Sequence, residues 1–345
     1  MNPDIILSYE TELTSTRKSD HLNICLNQDV ESQTTAGWEN VYLPHSALPD
    51  IDFENIDLSA SFLNFQFDYP FLISSMTGGT SDSDKINATL AQFAQAKNIP
   101  MGLGSQRYLV ERKKSGRFSS LDIRKFAPKA HLWANIGAIQ LNYGVEVDDC
   151  LWLVEELQAQ VLILHLNPLQ EAIQMEGDRN FKGLWAKIEK VKKAVKVPVI
   201  LKETGCGIDQ KTAKRAIDIG IDALDIAGLG GTHWGLIEGL RHQKREELGH
   251  VFRNWGIPSA IALRAVLEVA PSSYPVIASG GIRTGLDCAK ALGMGASLCG
   301  LALPFLKAVS AGPEATEQTF KILEESLAIA CFTSGASTIK ELKTI

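Results

Sequence analysis

The stretch Val161-Leu162-Ile163-Leu164-His165-Leu166-Asn167-Pro168-Leu169-Gln170-Glu171 runs from an apolar strand into a crowd of polar groups. Its first four residues are apolar at consecutive positions, as in a parallel strand covered on both faces. An imidazole, two amides and a carboxylate then gather at the exit. Side chains alternate along a strand, so His165 and Asn167 point the same way. Core strands do not normally finish like this, whereas the catalytic rim of a β/α barrel does.

Seven further runs have the same character: Phe71–Met76, Met101–Ser105, His131–Gly137, Pro198–Glu203, Ala223–Gly228, Pro275–Gly280 and Ser297–Ala302. Between several of them the pattern turns helical, with faces marked by Ile86, Leu90, Phe93 and Ala94 and by Leu184, Ile188, Val191 and Val195. Eight alternating units predict an α/β fold, a closed (β/α)8 TIM barrel rather than an open doubly wound sheet. Residues 1–70 are expected to form an N-terminal extension covering the barrel, and residues 71–345 the barrel itself. The basic run Arg107 to Lys125 shows little helical periodicity, so residues 106–130 are expected to hold a partly mobile loop. Residues 232–258 are too long for an ordinary βα loop and suggest a lid or an oligomer contact. Pro313 to Cys331, with Phe320, Leu323, Leu327 and Ile329, reads as a final amphipathic helix.

The 345 residues are 45% hydrophobic with a formal net charge of -6, which argues against bulk attraction to nucleic acid. No apolar run approaches the roughly 18 residues of a membrane span. Met1 to Asp20 lacks the apolar core of a secretory signal. The six cysteines contain no Cys-x-x-Cys, which points to a reducing cytoplasm and to neither a disulfide frame nor a zinc site. The expectation is a cytoplasmic homo-oligomer acting on a small molecule.

Candidate site residues gather at the strand ends. Ser279-Gly280-Gly281-Ile282-Arg283 and Gly300-Leu301-Ala302-Leu303-Pro304 end the last two strands, where barrels commonly hold a phosphate on backbone amides. Gly228-Leu229-Gly230-Gly231-Thr232 is either a hinge or a hydroxyl donor. Lys202, inside an apolar strand, has two readings: an ion pair with Glu203 or Asp225, or a cation held against an electron-rich ligand. Ser75-Met76-Thr77-Gly78-Gly79, Gly104-Ser105-Gln106-Arg107 and Asn135 add polar termini to the first three strands. Arg17, Lys18, His21 and the other histidines besides His165 read by themselves as solvated surface. Cys206 reads as structural, since nothing local lowers its pKa. No His-Glu-x-x-His pattern is present.

Taken in order from Arg17-Lys18-Ser19-Asp20-His21, these motifs cover most of the chain. The run His-x-Asn-x-x-Gln-Glu at 165–171, Glu176-Gly177-Asp178 and Lys202-Glu203-Thr204-Gly205 belong to the same series. The chain resembles type 2 isopentenyl-diphosphate isomerase, the flavin-dependent form. The resemblance implies an FMN-holding barrel over which isopentenyl and dimethylallyl diphosphate are interconverted, with Mg2+ and with NADPH as reductant of the flavin. It assigns Ser75, Met76, Thr77, Ser105, Asn135, Lys202 and Thr232 to the flavin and its ribityl chain, and Gly280, Gly281, Arg283, Ala302 and Leu303 to its phosphate. Arg17, Lys18, Ser105, Gln106 and Arg107 would bind the diphosphate with His165 and Asn167. Gln170 would meet the reactive end, making Gln170, His165 and Asn167 the catalytic set, and Glu171 would bind the metal. One departure stands out: Asp209 occupies a position where the family usually has serine, and an ionised carboxylate donates no hydrogen bond.

Chemistry supports this reading. A diphosphate needs cations, and a single carboxylate suits Mg2+, which keeps waters and phosphate oxygens. Ordinary side chains are poor acids toward an alkene, whereas a reduced flavin steadied by Lys202 is able to deliver a proton. Three rivals remain. An FMN oxidoreductase of the 2-hydroxy-acid type would use His233 as base. A purine-nucleotide dehydrogenase barrel would need a loop cysteine after the sixth strand. A non-catalytic flavin- or phosphate-binding protein would leave the polar rim unused.

Overall fold

A computed structural model of the chain describes residues 17–76, 81–115 and 123–343. Its strands are β1 (Ala60–Phe62), β2 (Phe65–Phe67), β3 (Phe71–Ile73), β4 (Met101–Gly102), β5 (Leu132–Gly137), β6 (Val161–Leu166), β7 (Val199–Glu203), β8 (Ala223–Asp225), β9 (Val276–Ser279) and β10 (Leu298–Leu301). β3 to β10 pair in parallel in chain order, and β10 closes on β3. Each barrel strand falls inside its predicted range. The consecutive apolar positions are explained by burial on both faces: every residue of β5, β7 and β9 is buried.

The helices between strands start and stop for local reasons. Thr284 and Asp287 form a reciprocal capping box at the start of Gly285–Met294, and Gly295 ends that helix in the left-handed region at φ 118°. Asp209 caps Gln210–Asp218, accepting from Thr212 N at 3.0 Å and Thr212 Oγ1 at 2.6 Å. The carboxylate that departs from the family pattern is therefore engaged in ending a loop.

Both ends of the barrel are covered. At the amino end, β1 and β2 form an antiparallel hairpin that the sequence reading did not identify. Phe62 stacks on Trp133 at 5.6 Å, and Phe65 and Phe67 set their edges on His131 at 4.2 and 5.0 Å. Trp133 Nε1 donates to His131 Nδ1 at 2.8 Å. Burial holds that imidazole down to about 4, so it is neutral and able to accept. At the carboxyl end, a helix over residues 17–27 crosses the mouth. Ile24, Cys25 and Val30 pack there with Ile237, Leu303 and Leu306 in a small core of their own. Each large apolar side chain buried this way contributes about 1.5–3 kcal/mol toward holding the arm down.

One expectation needs correction in part. Within the segment expected to hold a loop, Arg107–Lys114 and Ile123–Phe126 are helical; residues 116–122 lie outside the described set. Only Tyr108, Leu109 and Val110 of the first helix are buried, amid four cations, so no 3.6-residue period emerges. Residues 232–258 fold into two helices, Trp234–Arg241 and Glu246–Val251, the first lying against the mouth. Among the described residues no helix is long and apolar enough to cross a membrane.

Candidate active site

A cavity of about 190 Å³ opens at the carboxyl ends of the barrel strands, beneath the N-terminal helix. All of the residues assigned above to cofactor, substrate or metal line it, except two. Thr77 lies outside the described residues. Gln106 turns away: its Oε1 accepts from Asn135 N at 3.1 Å and its own N donates to Asn135 O, so it stitches β4 to β5 behind the wall.

Strand register builds the centre of the site. Gly137, His165, Lys202 and Asp225 are successive cross-strand partners on β5, β6, β7 and β8. His165 Nδ1 lies 2.7 Å from Asn135 Oδ1. An amide oxygen only accepts, so the imidazole donates from Nδ1 and keeps Nε2 as an acceptor. Burial, and then the charge of Lys202, lowers this ring to about 4. Gly137 leaves the ring room, because a β-carbon there would stand a tight 3.0 Å from His165 Nε2. Lys202 makes the ion pair of its first reading and also stands at the cavity wall. It pairs with Asp225 at 3.2 Å, donates to Glu203 O at 3.0 Å, and still lines the cavity. Glu203 serves the backbone: Oε2 accepts from the amides of Thr204, Gly205 and Cys206 at 2.6, 2.7 and 2.5 Å. Burial nevertheless pushes its carboxyl up to about 7.

The β6 exit folds back on itself in the short helix Pro168–Ile173. Asn167 Nδ2 donates to Gln170 Oε1 at 3.2 Å and to Glu171 Oε1 at 2.9 Å. Glu171 Oε2 takes the Asp178 amide at 2.7 Å, and burial raises its carboxyl above the usual range. Gln170 Nε2 donates to Glu238 Oε1 at 2.9 Å. Glu238 is a residue the sequence reading missed. It is 1% exposed and also meets Arg241 NH1 at 2.6 Å and His21 Nε2 at 2.9 Å. The His21 contact has ion-pair distance without hydrogen-bond alignment. Burial opposes ionisation of Glu238, but His21 and Arg241 outweigh it and hold the carboxyl down to about 2. His21, read as solvated surface, is thus buried and paired, because the arm folds over the mouth. The available signal was a single carboxylate within the otherwise apolar Trp234-Gly235-Leu236-Ile237-Glu238-Gly239-Leu240.

Cations collect on one side. Lys18 Nζ lies 3.9 Å over the Tyr108 ring and 3.4 Å from Ser105 O. Arg107 is anchored by Glu111 at 2.7 Å and Asp178 at 2.8 Å. On the far side, Gly280 lies at φ 92° so close to β8's loop that a β-carbon would meet Gly228 O at 2.1 Å. Arg283 beside it is oriented by Glu31. Leu303 N–H stands in the first turn of Leu303–Ala311, where amides have no intrahelical acceptor.

Several buried polar atoms of this cavity have no protein partner: Ser74 Oγ, Ser75 Oγ, Gln140 Oε1 and Asn167 Oδ1. Such orphans are uncommon in folded chains and mark places for a bound polar ligand. His233, the base that the hydroxy-acid rival requires, is occupied elsewhere. Its Nδ1 accepts from Leu236 N at 3.1 Å and its Nε2 faces Trp255 O at 3.2 Å.

Comparison with known proteins agrees. A family model described as FMN-dependent dehydrogenase matches residues 147–345. An isopentenyl-diphosphate delta-isomerase of Nostoc sp. is 44% identical over 99% of this chain and 97% of that protein. One from Rickettsia bellii is 45% identical over 95% of each. Among solved structures, a flavocytochrome b2 mutant with benzoylformate superposes with TM-score 0.68 at 19% identity, covering 98% of this chain and 84% of that one. A mandelate oxidase mutant with a monooxide FMN adduct gives 0.64 at 17% identity, covering 91% and 93%. These two share the fold alone. With full-length relatives at this identity and the rim residues assembled as described, the chain belongs to the isopentenyl-diphosphate delta-isomerase family.

Proposed function

We propose that the chain interconverts isopentenyl and dimethylallyl diphosphate above a bound, reduced FMN, with Mg2+ on the diphosphate and NADPH as the flavin's reductant. The observation that carries this reading is a single cavity with a cationic arm on one side, glycine loops on the other and the β6 exit between them. The orphaned hydroxyls of Ser74 and Ser75 and the first-turn amide of Leu303 fit a flavin with its ribityl phosphate. Reduced FMN, when bound, supplies a proton donor and acceptor strong enough for an alkene carbon. The protein's part is placement. Gly280, Gly281, Arg283, Ala302 and Leu303 would hold the phosphate, and Ser75, Met76, Ser105, Asn135, Lys202 and Thr232 the rest. Thr77 remains assigned by resemblance.

Arg17, Lys18 and Arg107 would clamp the diphosphate, with His165 and Asn167 offering neutral hydrogen-bonding groups beside it. Trp234 and Met76 supply an apolar wall for the hydrocarbon end. Gln170, held by Glu238, would present its amide to the reacting end. Among the described residues no cluster of three or more metal-type side chains exists. A lone Glu171 is still sufficient for Mg2+, because each of its oxygens keeps a free lone pair and the diphosphate supplies the other ligands. The direct test is reconstitution with FMN, Mg2+ and dithionite or NADPH, followed by NMR of added isopentenyl diphosphate. Appearance of the allylic isomer with only a trace of reductant consumed supports the reading. Stoichiometric consumption of electrons would return the oxidoreductase rival.

The clamp has its own pH signature. Burial, and then Arg17, lower the Lys18 ammonium to about 7. In the free enzyme it is charged below that pH and neutral above it. The expected result is a kcat/KM that falls as pH rises through about 7, flattened in Lys18→Arg. Lys18→Ala is expected to raise KM about tenfold, the loss of one charge-assisted bond, with FMN content intact. Lost flavin with an unmoved KM would make the arm purely structural.

A further inference from the structure

We propose that Asp225 sets how much of the Lys202 charge reaches the flavin, and so tunes the flavin's reduction potential. The inference rests on the reading above that Lys202 faces the cofactor. Lys202 and Asp225 are register partners on adjacent strands, with Nζ 3.2 Å from Oδ2. Asp225 is 1% exposed, and its other oxygen accepts the Ser279 hydroxyl from β9. Lys202 and Ser279 line the cavity, whereas Asp225 stands behind them. The ammonium therefore has a buried carboxylate at its back and the cavity in front.

Charges this close interact strongly where water is excluded. A cation near the ring favours the electron-rich reduced flavin, and an anion just behind that cation cancels part of its field. Asp225 touches neither cavity nor ligand, so it is a positioning residue acting through Lys202. Were the pair only a strut between β7 and β8, its loss would alter stability and leave the potential alone.

The experiment is a reductive titration of FMN-loaded protein against a reference dye. Asp225→Asn is expected to raise the ratio of reduced to oxidised flavin about tenfold at a given potential, or about 30 mV for a two-electron couple. Lys202→Gln is expected to shift it the other way. The Lys202→Gln/Asp225→Asn double variant removes both buried charges together, which guards against misfolding from one unpaired charge. It is expected to lie above Lys202→Gln. If Lys202→Gln lowers the potential but Asp225→Asn sits at or below wild type, the inference is overturned. Should Asp225→Asn hold no flavin, a double variant no higher than Lys202→Gln overturns it equally. If Lys202→Gln leaves the potential unmoved, the placement of Lys202 at the flavin fails, and the inference goes with it.

Discussion

Glu171→Gln is expected to lower turnover more than tenfold at limiting Mg2+, with FMN content unchanged. Two effects add. The substitution removes the only charged protein ligand proposed for the metal, and losses at metal-site partners typically cost 10–100-fold in affinity or activity. It also disturbs the loop. Glu171 accepts from Asn167 Nδ2 on one oxygen and from the Asp178 amide on the other. A glutamine must turn its NH2 toward one of those donors, leaving a buried N–H without an acceptor. Excess Mg2+ should restore part of the activity if charge is the main loss, and none if the loop has moved. Burial raises the Glu171 carboxyl, so acid favours its protonated form over metal binding. The Mg2+ concentration for half activity is therefore expected to rise as pH falls. Wild-type turnover at limiting Mg2+ would remove Glu171 from the metal assignment.

The barrel was legible because its strands are buried on both faces, which writes them as unbroken apolar runs such as Val161-Leu162-Ile163-Leu164. The rim was legible because such runs ended in groups that a core does not tolerate. What stayed hidden depended on contacts far apart in the chain. The β1–β2 hairpin has strands of three residues, and its purpose appears only where Phe62 meets Trp133. His21 looks like surface until the arm crosses the mouth and brings it to Glu238, more than two hundred positions away. Gln106 begins a helix with its side chain turned back onto β5, a direction that spacing alone does not reveal. The two readings of Lys202 seemed to exclude each other in the sequence. In space the ammonium pairs with a carboxylate behind it and still stands at the cavity before it.

Glu238→Gln is expected to destabilise the fold by about 3–5 kcal/mol, because it strands the Arg241 guanidinium beside a neutral group in a water-poor site. Arg241 is 6% exposed at its side chain, and its other anions are the more exposed Glu176 at 3.0 Å and Asp20 at 3.9 Å. Proton linkage leads to a similar size. The Glu238 carboxyl is held near 2 against an ordinary value of 4.5, a difference worth about 3 kcal/mol. The sign follows from the direction: with the folded value depressed, this stability is present above about pH 4.5 and is lost as pH falls toward 2. Urea denaturation at neutral pH and at pH 3 should therefore show wild type and Glu238→Gln converging in acid. Convergence also separates the ion pair from simple packing, which acid leaves in place.

Stability and function divide at the same carboxylate. Oε2 serves Arg241, while Oε1 orients the Gln170 amide. Replacing Arg241 by methionine in the Glu238→Gln background removes the stranded cation, and much of the lost stability is expected to return. Gln170 would still lack its anionic acceptor, so kcat should remain low, by about a hundredfold if the amide's orientation matters as positioned groups usually do. Recovery of kcat together with stability would mean that Glu238 only holds the arm in place. Recovery of stability alone would tie the buried carboxylate to the alignment of the β6 exit with the reacting carbon.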